Sequence, residues 1–492
     1  MGEACDFLVI GGGSAGAIVA RRLADRSKGR VILLEAGKSD EADMAAIDLS
    51  RVDDLTPAHD WGFTAPPVRG GALVLDYARA KMLGGCGNHN DCAFLVPPDC
   101  DFTAWEAAGA KGWGPETTAK YFDRIEERVT VERAPRHRLS EVFVAAGREL
   151  GLPEVDFRRN VVNGTGWFPL NAKGPMRESS SVSYLHPLKD LPRNLDVWTE
   201  TRALKLTFDG ARATGALTTR GPVTASRAVI LTCGSLQTPQ LMMISGIGPA
   251  AALRKHGIGV LRDLPGIGQH LLDHPAAPVV YETRDGIEPW DITPYQATTL
   301  ISIDGDAPAP DVLFHFGLRV REKYGENPQL AVSGPAVKLS PNVARARSEG
   351  EVRLASGDIN DAPVIDLNYF SDPQGYDRRI LIAGLRYARR LGETRAFQAI
   401  AKREVHPGPG VQTDAEWIEY IGRVCETVYH PSGTCRMGDP SDPRIVVSPD
   451  LRVKGVDGLF VADASVFPAL VTVNINNTVM MVGEKAVDHI LA

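Results

Sequence analysis

Seven cysteines, at positions 5, 86, 92, 100, 233, 425 and 435, are too few and odd in number for a disulfide framework in a chain of 492 residues. A reduced, cytoplasmic protein is expected. No uninterrupted apolar run approaches the ~18 residues of a spanning helix, so no membrane span is expected. The opening MGEACDFLVIGGG lacks a basic segment followed by an apolar one, and no signal peptide is expected. Asp6 stands where a myristoylation signal needs Ser or Thr. Without secretion the sequon Asn163-Gly-Thr has no consequence. There is no long basic run, and a formal net charge of −7 argues against a nucleic-acid partner. Low-complexity tracts and internal repeats are absent as well.

What remains is an ordinary soluble composition, 43% hydrophobic and 23% charged. The length exceeds the ~250–300 residues at which single cores stop growing, so two or more structural domains are expected. With 49 glycines and 34 prolines along the chain, turns and loops should be many.

The first forty residues read as strand, glycine loop, helix, strand and acid. The apolar run Phe7-Leu-Val-Ile10 leads into Gly11-Gly-Gly-Ser-Ala-Gly16, and Ala17 to Leu23 reads as a helix with Ile18, Val19 and Leu23 toward a sheet. A second run, Val31-Ile-Leu-Leu34, ends in Glu35, 19 residues beyond Gly16. In such a unit Gly11 makes the tight turn, Gly13 lets backbone approach a pyrophosphate and Gly16 lets helix pack on strand. Glu35 can accept hydrogen bonds from ribose hydroxyls, and the helix start favours phosphates. A bound dinucleotide follows; the pattern leaves FAD and NAD open.

Near the other end stand Val428-Tyr-His-Pro431, the strand-like Gly458-Leu-Phe-Val-Ala-Asp463 and Val473-Asn-Ile-Asn476. Asp463 closes a core strand at a second place where a doubly wound sheet can present polar groups to a ligand. Alone, His430 before a proline and Asn474 are turn residues. The stretch MLGGCGNHNDCAF, residues 82–94, sets His89 between Cys86 and Cys92. A metal site needs a fourth ligand that this loop does not offer, so no metal is expected. Taken alone, His89 is a turn histidine or an attachment point.

The combination resembles the glucose–methanol–choline (GMC) family of FAD-dependent oxidoreductases, from residue 6 to about residue 490. The likeness rests on the opening fingerprint, Arg79-Ala-Lys-Met-Leu-Gly-Gly85, the signature running from Gly234 to Pro249, and the C-terminal His and Asn. Within the family it is nearest to the choline-oxidase branch, through Gly84-Gly-Cys-x-x-His-Asn90, Ser179 to Pro187, Asp273-His-Pro275, Val428 to Pro431 and Thr472-Val-Asn-x-Asn476. The resemblance implies FAD, held covalently through His89 on the flavin 8α-methyl. It places the cofactor against Gly11, Gly13, Ser14, Ala15 and Gly16, and against Glu35 and Ala36. It adds Arg79, Gly84, Gly85 and Asn90 from the second segment. From the rest of the chain come Ala203, Asp463, Ala464, Asn474 and Thr478.

It also implies that His430 handles the proton of an alcohol whose carbon gives a hydride to the flavin, with Asn474 hydrogen-bonding beside it. His274 and His315 fall on further active-site histidines, each weighed against a satisfied core histidine. Ala276, Val428 and Tyr429 fall on substrate-binding positions. Choline oxidases carry a glutamate where Ala276 stands, so a buried quaternary cation loses its counter-charge; a neutral primary alcohol is expected unless Asp91 or Glu288 supplies the acid. Arg319 and Arg321 add positive charge if they face the cavity. Two further departures lie beside the flavin link: Gly87-Asn88 in place of a Ser-Ser pair, and Asp91 in place of serine.

The expected fold is α/β: a doubly wound, Rossmann-like FAD domain built from discontinuous segments, with a second, α+β substrate domain carrying a mainly antiparallel sheet. The FAD domain is expected to take residues 1–151, 193–275 and 428–492, and the substrate domain 152–192 and 276–427. Loops lining the cavity are expected between Asp285 and Pro328. Three activities compete: an alcohol oxidase using O2, an alcohol dehydrogenase using a quinone or other carrier, and a hydroxynitrile lyase that keeps FAD without redox chemistry. The partners expected are a small alcohol and O2, with a homodimer possible.

Overall fold

The computed structural model describes residues 2–68, 71, 73–320 and 327–492. Arg321 lies outside them.

Two large sheets organise the chain. The first is centred on Glu3–Ile10, which pairs in parallel with Val31–Leu34 on one side and Gly221–Leu231 on the other. Leu195–Trp198 and Leu459–Val461 extend the parallel set outward. Near its start the 11-residue strand Gly221–Leu231 pairs antiparallel with Arg212–Thr218 on one side while still pairing in parallel with Glu3–Ile10 on the other. Phe7 to Ile10 and Val31 to Leu34 are buried on both faces, as parallel strands covered by helices must be. The helix Gly16–Arg26 lays Ile18, Val19 and Leu23 into that core, as their spacing predicts. A methyl group at Gly16 would collide with the carbonyl oxygen of Gly11, so only glycine allows this close crossing of helix over loop.

The second sheet has nine strands and is mainly antiparallel. Its centre is Ala336–Val343, between Val279–Thr283 and Val312–Gly317. Tyr295–Ile301 and Gly164–Trp167 follow on one side, Ala401–His406 on the other. The helix Tyr376–Glu393 packs on its outer face with Leu381, Leu385 and Ala388 inward.

The two layers exchange elements across the expected boundaries. The helix Arg138–Glu149, within the first expected segment, packs on the second sheet, where Phe143 stacks on Phe316 with ring centroids 4.7 Å apart. The helix Ser180–Tyr184, within the second, leans on the first layer, where the Tyr184 hydroxyl donates to Glu484. No helix among the described residues is long and apolar enough to cross a membrane.

Candidate active site

A continuous cavity runs from the glycine loop to the inner face of the second sheet. At its first end, three helices begin against it: Gly16–Arg26 after Gly13, Ser14 and Ala15; Gly234–Ile244; and Asn476–Leu491. Their N–H groups and dipoles suit a pyrophosphate. Ser14 donates to the Asn476 side chain at 2.6 Å and ties the first helix to the last. Asp463 accepts from the Gly234 N–H and the Thr238 hydroxyl, which fixes the start of the middle helix.

Glu35 accepts from Gly12 N at 2.9 Å and from Gly37 N at 2.7 Å, one on each carboxylate oxygen. Each oxygen keeps a lone pair for a ribose hydroxyl. Burial pushes its pKa up to about 7, against the pull of those two N–H bonds. Ala36, Arg79, Gly85, Asn90, Ala203 and Ala464 also line the cavity. Gly16, Gly84 and Thr478 do not: the first serves helix packing and Thr478 is buried within the last helix. Gly84 has a left-handed φ of 85° and donates its N–H to Gly12 O, so it shapes the loop from behind. The set fits an FAD: a small-residue cradle for phosphates and an acid for the ribose.

His89 lines the middle of the cavity, with Nδ1 3.7 Å from Asp60 Oδ2 and both side chains buried. Cys86 lies beside it and Cys92 is buried, and all seven cysteines are free thiols.

Beyond His89, two distant motifs are zipped together. Pro275-Ala276 pairs antiparallel with Glu426-Thr427, Val428 N donates to His274 O, and Leu272 and Ser432 exchange both backbone bonds. This brings His274 and His430 into contact, Nδ1 to Nδ1 at 2.8 Å. The protons follow from the partners. His274 Nε2 lies 3.0 Å from Ala344 O and 3.1 Å from Val471 O, which only accept, so that nitrogen carries the hydrogen. In the neutral ring its Nδ1 must then accept, and His430 Nδ1–H donates to it. His430 Nε2 is left with a lone pair, and Asn474 Nδ2 approaches it at 3.4 Å. His430 and Asn474 line the cavity, whereas His274 stands behind them and touches His430 rather than the cavity. Burial holds His430 neutral with a pKa well below 6.5, reinforced by His274, His315 and Arg79; His274 is lowered by burial as well.

Asp273, which sequence reading passed over as a motif neighbour, anchors this pair. Its Oδ1 accepts the backbone N–H of both His274 and His430 at 2.8 Å. Its Oδ2 accepts the hydroxyls of Tyr77, Tyr369 and Thr427. Five donors on one buried carboxylate fix both histidine backbones.

The far end is the inner face of the second sheet. His315 lines it, with Asn342 Nδ2 3.3 Å from its Nδ1 and the Phe168 ring stacked at 5.6 Å. Ala276 is buried and faces inward, as do Val428 and Tyr429. Glu288, offered as a replacement acid, points away and pairs with Arg138 at 3.8 Å on the surface. Asp91 does line the cavity and accepts from Thr293. Arg319 lines it too, its side chain only 15% exposed and paired with Asp53, so it is no free loop arginine. Lys338, Ser340 and Glu426, which no sequence motif singles out, complete this end.

Comparison with known proteins agrees with this geometry. Two GMC oxidoreductase family models match residues 5–276 and 346–483. The chain is 39% identical to the choline oxidase of Arthrobacter globiformis, over 99% of this chain and 94% of that protein. It is 33% identical to an oxygen-dependent choline dehydrogenase of Brucella suis, over 99% and 95%. An alcohol dehydrogenase [acceptor] of Pseudomonas putida is also 33% identical, over 99% and 95%. The solved pyridoxine 4-oxidase from Mesorbium loti superposes with a TM-score of 0.90 at 28% identity, covering 98% of each chain. With its glycine cradle, buried histidine pair and two-sheet frame, the chain belongs to the GMC oxidoreductase family and is an FAD-dependent enzyme of alcohol oxidation.

Proposed function

We propose that this enzyme oxidises a non-cationic primary alcohol to the aldehyde and passes the electrons to O2, with FAD joined to His89. The observation that carries the reading is the histidine relay. His430 Nε2, unprotonated and facing the cavity, takes the proton of the substrate hydroxyl. Asn474 Nδ2 donates to the substrate oxygen as charge develops on it, which stabilises the alkoxide. His274 holds the tautomer and His315 bounds the substrate side. Bound FAD supplies the hydride acceptor at flavin N5.

Four observations support the finer points. Asp60 beside Nδ1 of His89 favours the proton on that nitrogen and leaves the lone pair on Nε2, the form that can bond to the flavin 8α carbon. Ala276 offers no carboxylate to a cation, and the acids that do line the cavity, Asp91 and Glu426, share it with the cations Arg319 and Lys338. One relative is named an oxidase and another an oxygen-dependent dehydrogenase. Seven free thiols support a reducing compartment such as the cytoplasm.

The test is a competition in air between choline and its neutral carbon isostere, in which a tert-butyl group replaces trimethylammonium. The neutral alcohol is expected to have the higher kcat/KM, with one peroxide formed per aldehyde. Faster turnover of choline overturns the substrate reading. Aldehyde formed only when a quinone or other artificial acceptor is added overturns the oxidase reading.

A further inference from the structure

On the cavity side of the second sheet, Ala276 faces Glu426 directly across an antiparallel pair. Residues so placed project from the same face of the sheet. Glu426 Oε1 lies 3.5 Å from Lys338 Nζ and accepts from the Ser340 hydroxyl at 3.3 Å. Lys338 and Ser340 are two residues apart on the central strand Ala336–Val343, hence on one face. The side chain of Lys338 is 3% exposed, yet both partners line the cavity.

The fold makes room for this lysine. Lys338 pairs with Gly317 on the neighbouring strand, and Gly317 with Tyr295 on the next. A methyl group at Gly317 would stand 2.9 Å from Lys338 Cγ and 3.0 Å from Tyr295 Cε1. The missing side chain lets the lysine stem run over Gly317 until its ammonium stands 5.7 Å from the centre of the Tyr295 ring. Burying an ammonium among strands is costly unless it is paired. An apolar residue would fill the space more cheaply if the position served packing alone.

We propose that Lys338 and Glu426 form a charge-selectivity pair that reads the end of the substrate opposite the reacting hydroxyl. This rests on the reading of the cavity as the site of a non-cationic alcohol and names the class it takes: alcohols whose distal end is uncharged and hydrogen-bonding. A hydroxyl or amide there accepts from Lys338 and donates to Glu426. A quaternary ammonium meets the lysine's positive charge and has no proton to donate. A distal carboxylate is attracted by Lys338 and repelled by Glu426. Lys338 and Glu426 thus offset each other, and removing either member shifts the local charge toward that of the other.

The experiment uses the flavin-loaded enzyme and three alcohols: choline, its tert-butyl isostere, and an alcohol ending in a carboxylate. Lys338→Met keeps the stem over Gly317 and removes the charge. It is expected to raise kcat/KM for choline relative to the isostere by roughly tenfold or more, the scale of removing a like charge from a desolvated site. Glu426→Gln is expected to do the reverse, lowering the choline ratio and raising that of the carboxylate alcohol. Lys338→Arg, which keeps the charge, should leave the choline ratio within about twofold of the wild type, and with Glu426→Gln it carries the test should Lys338→Met fail to fold. If folded Lys338→Met and Glu426→Gln both keep the wild-type ratios, or Lys338→Arg shifts the choline ratio as far as Lys338→Met does, the pair is structural and the proposal is wrong. The reading beneath it fails differently: the wild-type enzyme itself would then prefer choline.

Discussion

His274 and His430 meet nitrogen to nitrogen, Nδ1 to Nδ1 at 2.8 Å, across 156 residues of sequence. The outward nitrogen of His274 is spent on two carbonyl oxygens, so this contact sets the tautomer of His430. His430→Ala should slow anaerobic flavin reduction by at least ~100-fold, as for a lost acid–base group. His274→Ala and Asn474→Ala each remove one neutral hydrogen bond to His430, about 0.5–1.5 kcal/mol, and should slow reduction roughly 2- to 13-fold. Wild-type rates in all three, measured by stopped-flow absorbance, would show that the proton leaves elsewhere.

Asp273 is expected to act through the two histidines it holds. Asp273→Asn keeps the shape but turns part of a five-fold acceptor into a donor, at a cost of about 1–3 kcal/mol for the group left unsatisfied. Thermal unfolding should shift down and flavin reduction should slow, with KM little changed. A lowered Tm with an unaltered reduction rate limits Asp273 to structure.

The depressed pKa of His430 sets the pH behaviour. Its base form is already present at pH 6.5, so the rate of flavin reduction should be level through neutrality and fall only at pH well below 6.5. The stability effect has a definite sign. Below 6.5 the unfolded chain takes up a proton that the buried ring refuses, so the unfolded state binds more protons and stability falls as pH falls. His274, lowered in the same direction, adds to this. An acid limb of the reduction rate centred at or above 6.5 contradicts the assignment.

His89 should keep the flavin with the polypeptide after acid precipitation. A colourless pellet under a yellow supernatant would count against the link. His89→Ala should still bind FAD, through the cradle at Gly11 and Gly13 and through Glu35, but release it to acid.

Ala276→Glu should move the ratio of kcat/KM toward choline. The new carboxylate would face Glu426 across the strand pair, so the two acids together exceed the one charge on Lys338. Burying each methylene of a neutral alcohol favours binding by ~0.8 kcal/mol, whereas an unpaired buried cation is penalised. An unchanged ratio in a folded, flavin-loaded variant removes Ala276 from the account of specificity.

The local chemistry of the chain was readable because it needs only neighbours. Gly11 and Gly16, followed by a helix with Ile18, Val19 and Leu23 on one side, specify a turn and a packing face within some twenty residues, and Glu35 ends the next strand. Tertiary structure alone decided what surrounds the reacting hydroxyl. Asp273 acquires its role only when residues 272–276 and 426–432 pair, bringing Tyr77, Tyr369 and Thr427 onto one carboxylate. Lys338 and Ser340 alternate with Val337 and Leu339, a period-two pattern that in sequence reads as a strand with one face in water. Every residue of that strand is buried, because its polar face looks into an internal cavity rather than out to solvent. Alternation reports that two faces differ in polarity, and it takes the closing of the other layer over the sheet to decide whether the polar one meets solvent or substrate.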